Sequence, residues 1–315
     1  MPYGYQSRSR IKNSADAGHV VRHIQATEID LRLMKNAIMT SKPNFQFTIE
    51  AGKTERHYWL DLWRYRELFY ILAWRDIAVR YKQTVIGVLW AVLRPLLTMI
   101  IFVVVFGKIA KLPSEGVPYP VFVFAAMLPW TFFATAFADA SNSLIGNSNL
   151  ISKIYFPRLI IPAASVIVSA VDFMISFLIL IALMVWYRYI PDWQILTLPL
   201  FLLLAFFAAL GMGLLVASLN VKYRDFRFVI PFIVQLGLYI SPVGFSTNIV
   251  PEHYRLYYYL NPMVGIIDGF RWAISGGKTA LNSTELAISG GVILTLCLTG
   301  IVYFRKTEKT FADVI

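Results

Sequence analysis

SLIGNSNLISKIYFPRLIIP, residues 143–162, is a small polar island between two apolar runs. Upstream, Val121–Ala140 is almost wholly apolar, and downstream Leu159–Trp186 is apolar again. The hydrocarbon core of a bilayer, about 30 Å thick, takes a helix of roughly 20 apolar residues. The pattern therefore predicts a hydrophobic hairpin whose turn holds Asn147, Ser148, Asn149, Lys153 and Arg158 in water.

Outward from this hairpin the same alternation repeats. Six spans are expected, at Val85–Phe106, Val121–Ala140, Leu159–Trp186, Ile195–Leu219, Phe228–Phe245 and Leu286–Phe304. Backbone groups in lipid must be paired within their own segment, so each span has to be a helix. The chain is 57% hydrophobic and only 15% charged, which excludes an ordinary soluble domain. The expected fold is an all-α integral membrane protein.

The formal charge of +11 does not call for nucleic acid, because Lys and Arg collect in the cytoplasmic loops of membrane proteins. Arg64, Arg66, Arg75, Arg80, Lys82, Lys153, Arg158, Lys222, Arg224, Arg227, Arg305, Lys306 and Lys309 flank one side of the spans. Lys108, Lys111, Arg188, Arg255, Arg271 and Lys278 flank the other. This bias places both termini and the polar island in the cytoplasm. The single cysteine, Cys297, can form no internal disulfide, and His19, His23, His57 and His253 lack ligand spacing, so no metal site is expected. The polar, basic start of the chain has no apolar h-region and does not read as a secretory signal.

Residues 1–56 read as a basic cytoplasmic arm of solvated composition, either disordered or docked on a partner. Residues 57–84 contain RELFYILAWRDIAVRYK from Arg66, with Tyr70, Ala73, Trp74, Ile77 and Tyr81 on a helical stripe and Arg75 and Lys82 roughly opposite. Leu68, Leu72 and Val79 form a second apolar patch. Such a helix suits the headgroup layer, cations near lipid phosphates; the other reading is a solvent-facing helix. Residues 85–310 hold the spans, and 311–315 form a short cytoplasmic tail. Between the last two spans, NPMVGIIDGFRWAISGG from Asn261 is too short to cross and is interrupted by Pro262, Gly265 and Gly269. It reads as a re-entrant pair of half-helices, or as an aromatic-rich cap on the outer surface.

Ionisable residues within spans need partners. Arg94 and Asp172 lie at depths that differ by only about 6 Å, so a pair is expected, with Arg94 snorkelling beside Pro95 as the alternative. Asp268 and Arg271, three apart, are expected to satisfy each other. Trp186, Tyr187, Tyr189 and Trp193 sit at a span end like an interfacial aromatic belt. No GxxxxGK[ST] loop occurs; Gly276–Gly277–Lys278–Thr279 lacks the first glycine. No nucleophile–histidine pair or carboxylate cluster suggests catalysis, and the chain is not expected to hydrolyse ATP itself.

LWRYRELFYILAWRDIAVRYKQTVIGVLWAVLRPLL, LISKIYFPRLIIP, VKYRDFRFVIPFIVQLGLYISPVGF and LNPMVGIIDGFRWAISG, in that order, resemble the permease subunit of ABC-2 type exporters. The branch they resemble most is that of O-antigen, capsule and teichoic acid exporters. The resemblance covers residues 57–310 and leaves out the arm. It implies that Arg66, Tyr70, Trp74, Arg75, Ile77 and Tyr81 belong to an interfacial helix beside a nucleotide-binding subunit. It implies that Leu144, Asn147, Asn149, Leu150, Lys153, Tyr155, Phe156 and Arg158 belong to a coupling helix seated in that ATPase, with Lys153 and Arg158 meeting acidic residues there. Asn261, Pro262, Asp268 and Arg271 would form the re-entrant element.

Two copies of the chain and two ATPase subunits would make the working unit, in the bacterial inner membrane. ATP and magnesium would sit on the partner, and no cofactor on this chain. The first and fifth spans would line the path with Trp90, Phe102, Phe106, Tyr239 and Phe245; Tyr257, Tyr258 and Tyr259 read equally as path or interface anchors. Aromatic faces suit a sugar polymer that must slide, since passage favours several moderate sites over one tight pocket. The cargo implied is a glycan, free or lipid-linked. An exporter of small hydrophobic molecules is the alternative; a membrane enzyme or a passive channel are further rivals.

Overall fold

The computed structural model describes residues 58–82, 85–223, 225–279 and 281–311. The arm at 1–56, Arg224 and the end of the tail at 312–315 lie outside the described residues. Two short helices come first, α1 (Tyr58–Arg64) and α2 (Arg66–Lys82). Then follow α3 (Val85–Phe102), α4 (Tyr119–Gly146), α5 (Ser148–Ile151), α6 (Ile160–Trp186) and α7 (Leu198–Lys222). The last are α8 (Phe226–Ile240), α9 (Glu252–Tyr258), α10 (Pro262–Ser275) and α11 (Ser283–Thr307). No strand occurs among the described residues.

α4 is the axis of the molecule and packs against α6, α7, α8 and α10. Every residue from Val121 to Trp130 is buried, as expected of a helix apolar all round. Among the described residues, five segments are long and apolar enough to cross a membrane: Val92–Ile109, Tyr119–Gly146, Ile160–Trp186, Trp193–Lys222 and Ser283–Thr310. The first carries Pro95 and passes into a π-helical stretch at Val103–Ile109. α7 and α11 touch backbone to backbone, because a Cβ on Gly211 would come within 2.7 Å of the Cys297 amide nitrogen and one on Gly300 within 2.2 Å of the Gly211 carbonyl oxygen. Small residues permit such approach between membrane helices.

The fifth expected span, Phe228–Phe245, is helical only as far as Ile240. α8 has 15 residues and holds Pro231; its length of about 22 Å falls short of the hydrocarbon core. Ser241–Gly244 leave the helix and are buried. Where a pair of half-helices was expected, α10 is one continuous helix through Gly265 and Gly269, and almost every residue of it is buried against α4, α7 and α11. Asn261 caps its first turn by accepting from the Met263 N–H at 3.1 Å. Gly276, at φ +68°, ends it in the left-handed conformation that favours glycine. An exposed cap describes α9, whose residues are all at least partly exposed, but not α10.

A second core closes the end of the bundle where α4 meets α5. Leu144, Ile151, Phe156, Leu159, Leu214, Phe304 and Phe311 are buried together with Tyr58 of α1 and Leu72 of α2. Phe304 and Phe311 meet edge to face, with ring centroids 5.3 Å apart.

Candidate functional site: the turn after α4 and its ties

The polar island forms a compact turn. α4 ends at Gly146, α5 makes a single turn, and the chain then runs without helix to Leu159. Leu144, Ile151 and Phe156 point into the second core, while Asn149, Ser152, Lys153, Ile154 and Tyr155 are exposed; Leu150 is half-buried. Apolar anchors spaced through a polar loop thus fix its shape and leave one rim outward. Ile154 and Tyr155, 54% and 60% exposed, set apolar surface beside the Lys153 cation.

Two ties hold this turn. On one side, Arg75 of α2 donates to the Asn147 side-chain oxygen at 2.8 Å, and the Asn147 amide donates back to the Ser143 carbonyl at 2.9 Å. On the other, the Arg158 N–H donates to the Glu308 carboxylate at 2.7 Å, and the Arg158 guanidinium donates to the Glu308 carbonyl. Arg158 also lies 6.0 Å from the Phe311 ring. Arg158 is therefore engaged by the end of α11 and does not face outward as Lys153 does. Neither Glu308 nor Phe311 was singled out in the sequence.

α2 packs along α6. Its expected stripe divides: Ala73 is buried, Tyr70 and Trp74 are exposed and stacked 6.5 Å apart, and Ile77 and Tyr81 are half-buried. Arg66 is exposed and lies 5.6 Å from the Trp63 ring. Near its end Arg80 donates to both Asp139 of α4 and Asp172 of α6, each at 2.6 Å. Tyr81 donates to Asp172 as well. The expected Arg94–Asp172 pair is thus replaced: α2, lying against α6, brings Arg80 to Asp172 first. Arg94 is exposed and makes no ion pair with another described residue. Burial works against the Arg80 charge, but Asp139 and then Asp172 more than offset it and hold the guanidinium above its ordinary value. Burial, and then the bond to Asp172, raises the Tyr81 phenol. Asp139 was missed in the sequence, although a carboxylate inside an apolar run is itself a signal.

At the opposite end, the break after α8 is stitched by side chains. Arg271 donates to the carbonyls of Phe245 at 2.7 Å and Val243 at 3.0 Å. Tyr119 donates to the Gly244 carbonyl at 2.9 Å, and Tyr258 to that of Ile240 at 2.7 Å. Non-helical backbone at depth is tolerated where the protein itself satisfies it. Asp268 accepts from Thr247 at 2.8 Å and from Tyr259 at 2.6 Å. Asp268 and Arg271 therefore do not form the expected direct pair; each is taken by the segment it faces, and Arg271 also lies over the Phe122 ring at 3.9 Å.

Of the aromatic residues expected along a path, Trp90, Tyr239 and Tyr257 are more than half exposed. Phe102 and Phe106 are half-buried, tilted against each other at 5.3 Å, and close over Gly244. Phe245 is half-buried and Tyr258 is bonded to α8. Tyr259 is 4% exposed and donates to Asp268 at 2.6 Å.

Compared with known families, residues 67–274 match that described as ABC-2 type transporter. The chain is 25% identical to the O-antigen export system permease protein RfbA of Klebsiella pneumoniae over 79% of its length and 95% of that protein. It is 25% identical to the RfbA of Myxococcus xanthus, over 81% and 98% of the two chains. With the polysialic acid transport protein KpsM of Escherichia coli it shares 24% over 75% and 91%. A multi-pass bundle of apolar helices matched over most of its length in this way belongs to the ABC-2 type transporter family.

Proposed function

We propose that the chain is the membrane-spanning subunit of an ATP-driven exporter that moves a glycan, lipid-linked when it enters, across the bacterial inner membrane. The relatives named for O-antigen and polysialic acid export favour a glycan over small hydrophobic cargo. A nucleotide-binding partner, present twice and carrying ATP and magnesium, engages the turn after α4. The observation that carries this reading is the turn itself, pinned at Asn147 and Arg158 and exposed from Ser152 to Tyr155. A push on that rim is passed to α2 through Arg75 and to α11 through Glu308.

Two copies of the chain form the channel. Support comes from the apolar surface that α3 and α8 leave exposed, including Trp90, Leu97 and Ile101 on one and Phe228, Phe232 and Tyr239 on the other. Exposed apolar patches of this kind mark lipid or partner contact. Cells lacking the chain should retain long glycan inside, and the purified chain should bring down an ATPase subunit. Shortening the turn at Asn149–Tyr155 should leave the protein inserted and abolish export; export persisting with that turn removed would overturn the role of the turn.

A further inference from the structure

Past the end of α11 the chain makes one short 3-10 turn, Glu308–Thr310, and then buries Phe311. Phe311 is 1% exposed, and its ring meets that of Phe304 edge to face. Burial of a large ring holds this segment against the second core, so it cannot swing freely.

Three elements meet at Glu308. From the turn after α4, the Arg158 N–H donates to the Glu308 carboxylate at 2.7 Å, and the Arg158 guanidinium donates to the Glu308 carbonyl. From α1 comes Tyr58, buried beside it; after burial itself, the Glu308 charge is what raises the phenol. From α11, Arg305 lies over the Tyr58 ring at 4.6 Å. The bond from the Arg158 main chain differs in kind from one made by a side chain tip. A long side chain can swing while its backbone moves, but a bonded N–H fixes the backbone itself. Between the buried anchors Ile151 and Phe156, the stretch from Ser152 to Tyr155 is exposed. Its placement depends on where the chain is held just beyond Phe156, and that hold is Glu308.

We infer that Glu308–Phe311 is a positioning element for the turn after α4, with Glu308 as the positioning residue. Its carboxylate sets the Arg158 backbone and so sets how the rim Ser152–Tyr155 is presented; Phe311 keeps the carboxylate in place, and Tyr58 and Arg305 flank it. The inference rests on the reading that a nucleotide-binding partner engages the rim. It goes further by giving the presentation of that rim to a segment 150 residues away in the sequence.

Electron paramagnetic resonance of the Cys297→Ser chain in nanodiscs tests it. A nitroxide is placed at Ile154→Cys on the rim or, as a check on the bundle, at Val302→Cys on α11; the native residues are 54% and 65% exposed. Glu308→Ala should make the rim label more mobile and leave the α11 label unchanged. Glu308→Gln, whose amide oxygen still accepts from the Arg158 N–H, should keep the rim label as immobile as in wild type. Phe311→Ala should also free the rim label, and it decides the matter if Glu308→Ala fails to insert. An unchanged rim label in a folded variant, equal loosening at both labels, or a Gln variant as mobile as the Ala variant overturns the inference. In pull-downs, Glu308→Ala should retain less ATPase subunit than wild type, and equal retention also overturns it. Wild type retaining no ATPase subunit overturns the proposed function instead and leaves the result from the labels standing.

Discussion

Arg271 shows how a single buried cation can make an irregular segment possible. Its two bonds to the Val243 and Phe245 carbonyls replace the helical partners that the chain loses at Ile240. Arg271→Met keeps the bulk and leaves both carbonyls without donors, and should lower stability by about 3 kcal/mol, read as a drop in melting temperature. Arg80 differs, because its partners Asp139 and Asp172 are about a third exposed and solvent weakens each pair. Arg80→Met leaves two carboxylates facing each other, so it should destabilise more than Asp139→Asn does. Tyr58 adds a pH dependence: burial first, then the Glu308 charge, raises its phenol above the usual value near 10. The folded state thus holds this proton more tightly than the unfolded one. Stability from this group is complete below about pH 10 and is lost as the pH climbs above it. In Tyr58→Phe, the alkaline fall in melting temperature should be smaller.

At the scale of elements, the turn after α4 is held more firmly than its polar sequence suggests. Arg75–Asn147 joins it to α2 and Arg158–Glu308 joins it to α11, so neither helix can shift without moving it. A double-mutant cycle on Arg75→Ala and Asn147→Ala should give a coupling energy of about 0.5–1 kcal/mol in thermal unfolding. The same variants should reduce glycan-stimulated ATP turnover by the reconstituted complex more than they reduce stability. The hairpin and the turn were legible in the sequence, because hydropathy is a local signal, whereas Gly265 and Gly269, read as breaks between half-helices, lie inside one continuous helix. The pairing of charges was not legible either. Asp172 meets Arg80 and not Arg94 because α2 lies against α6, and only tertiary packing sets which arginine arrives. Residue counting likewise extended the helix beyond Ile240, since Ser241–Gly244 are apolar enough to span and are buried by protein instead.

Across the whole molecule, charge and connectivity agree on a direction. Arg158 lies beside Glu308 and Glu115 beside Asn248, so successive helices alternate between two ends. The end bearing the turn gathers Arg64, Arg66, Arg75, Lys153, Lys222, Arg227, Arg305, Lys306 and Lys309; the far end has Lys108, Lys111, Arg188, Arg255 and Lys278, with Arg271 buried. Cytoplasmic loops carry the excess of cations, and on that ground we propose that the turn faces the cytoplasm. Cys297 is buried in α11, so a Cys297→Ser background allows single cysteines to report on either end. Ile154, 54% exposed in the turn, and Ile190, 87% exposed between α6 and α7, are suitable positions. A membrane-impermeant maleimide should label Ile190→Cys in spheroplasts and leave Ile154→Cys untouched, with the order reversed in inside-out vesicles. Labelling of Ile154→Cys from outside would put the turn beyond the reach of any cytoplasmic ATPase, and the proposed coupling could not operate.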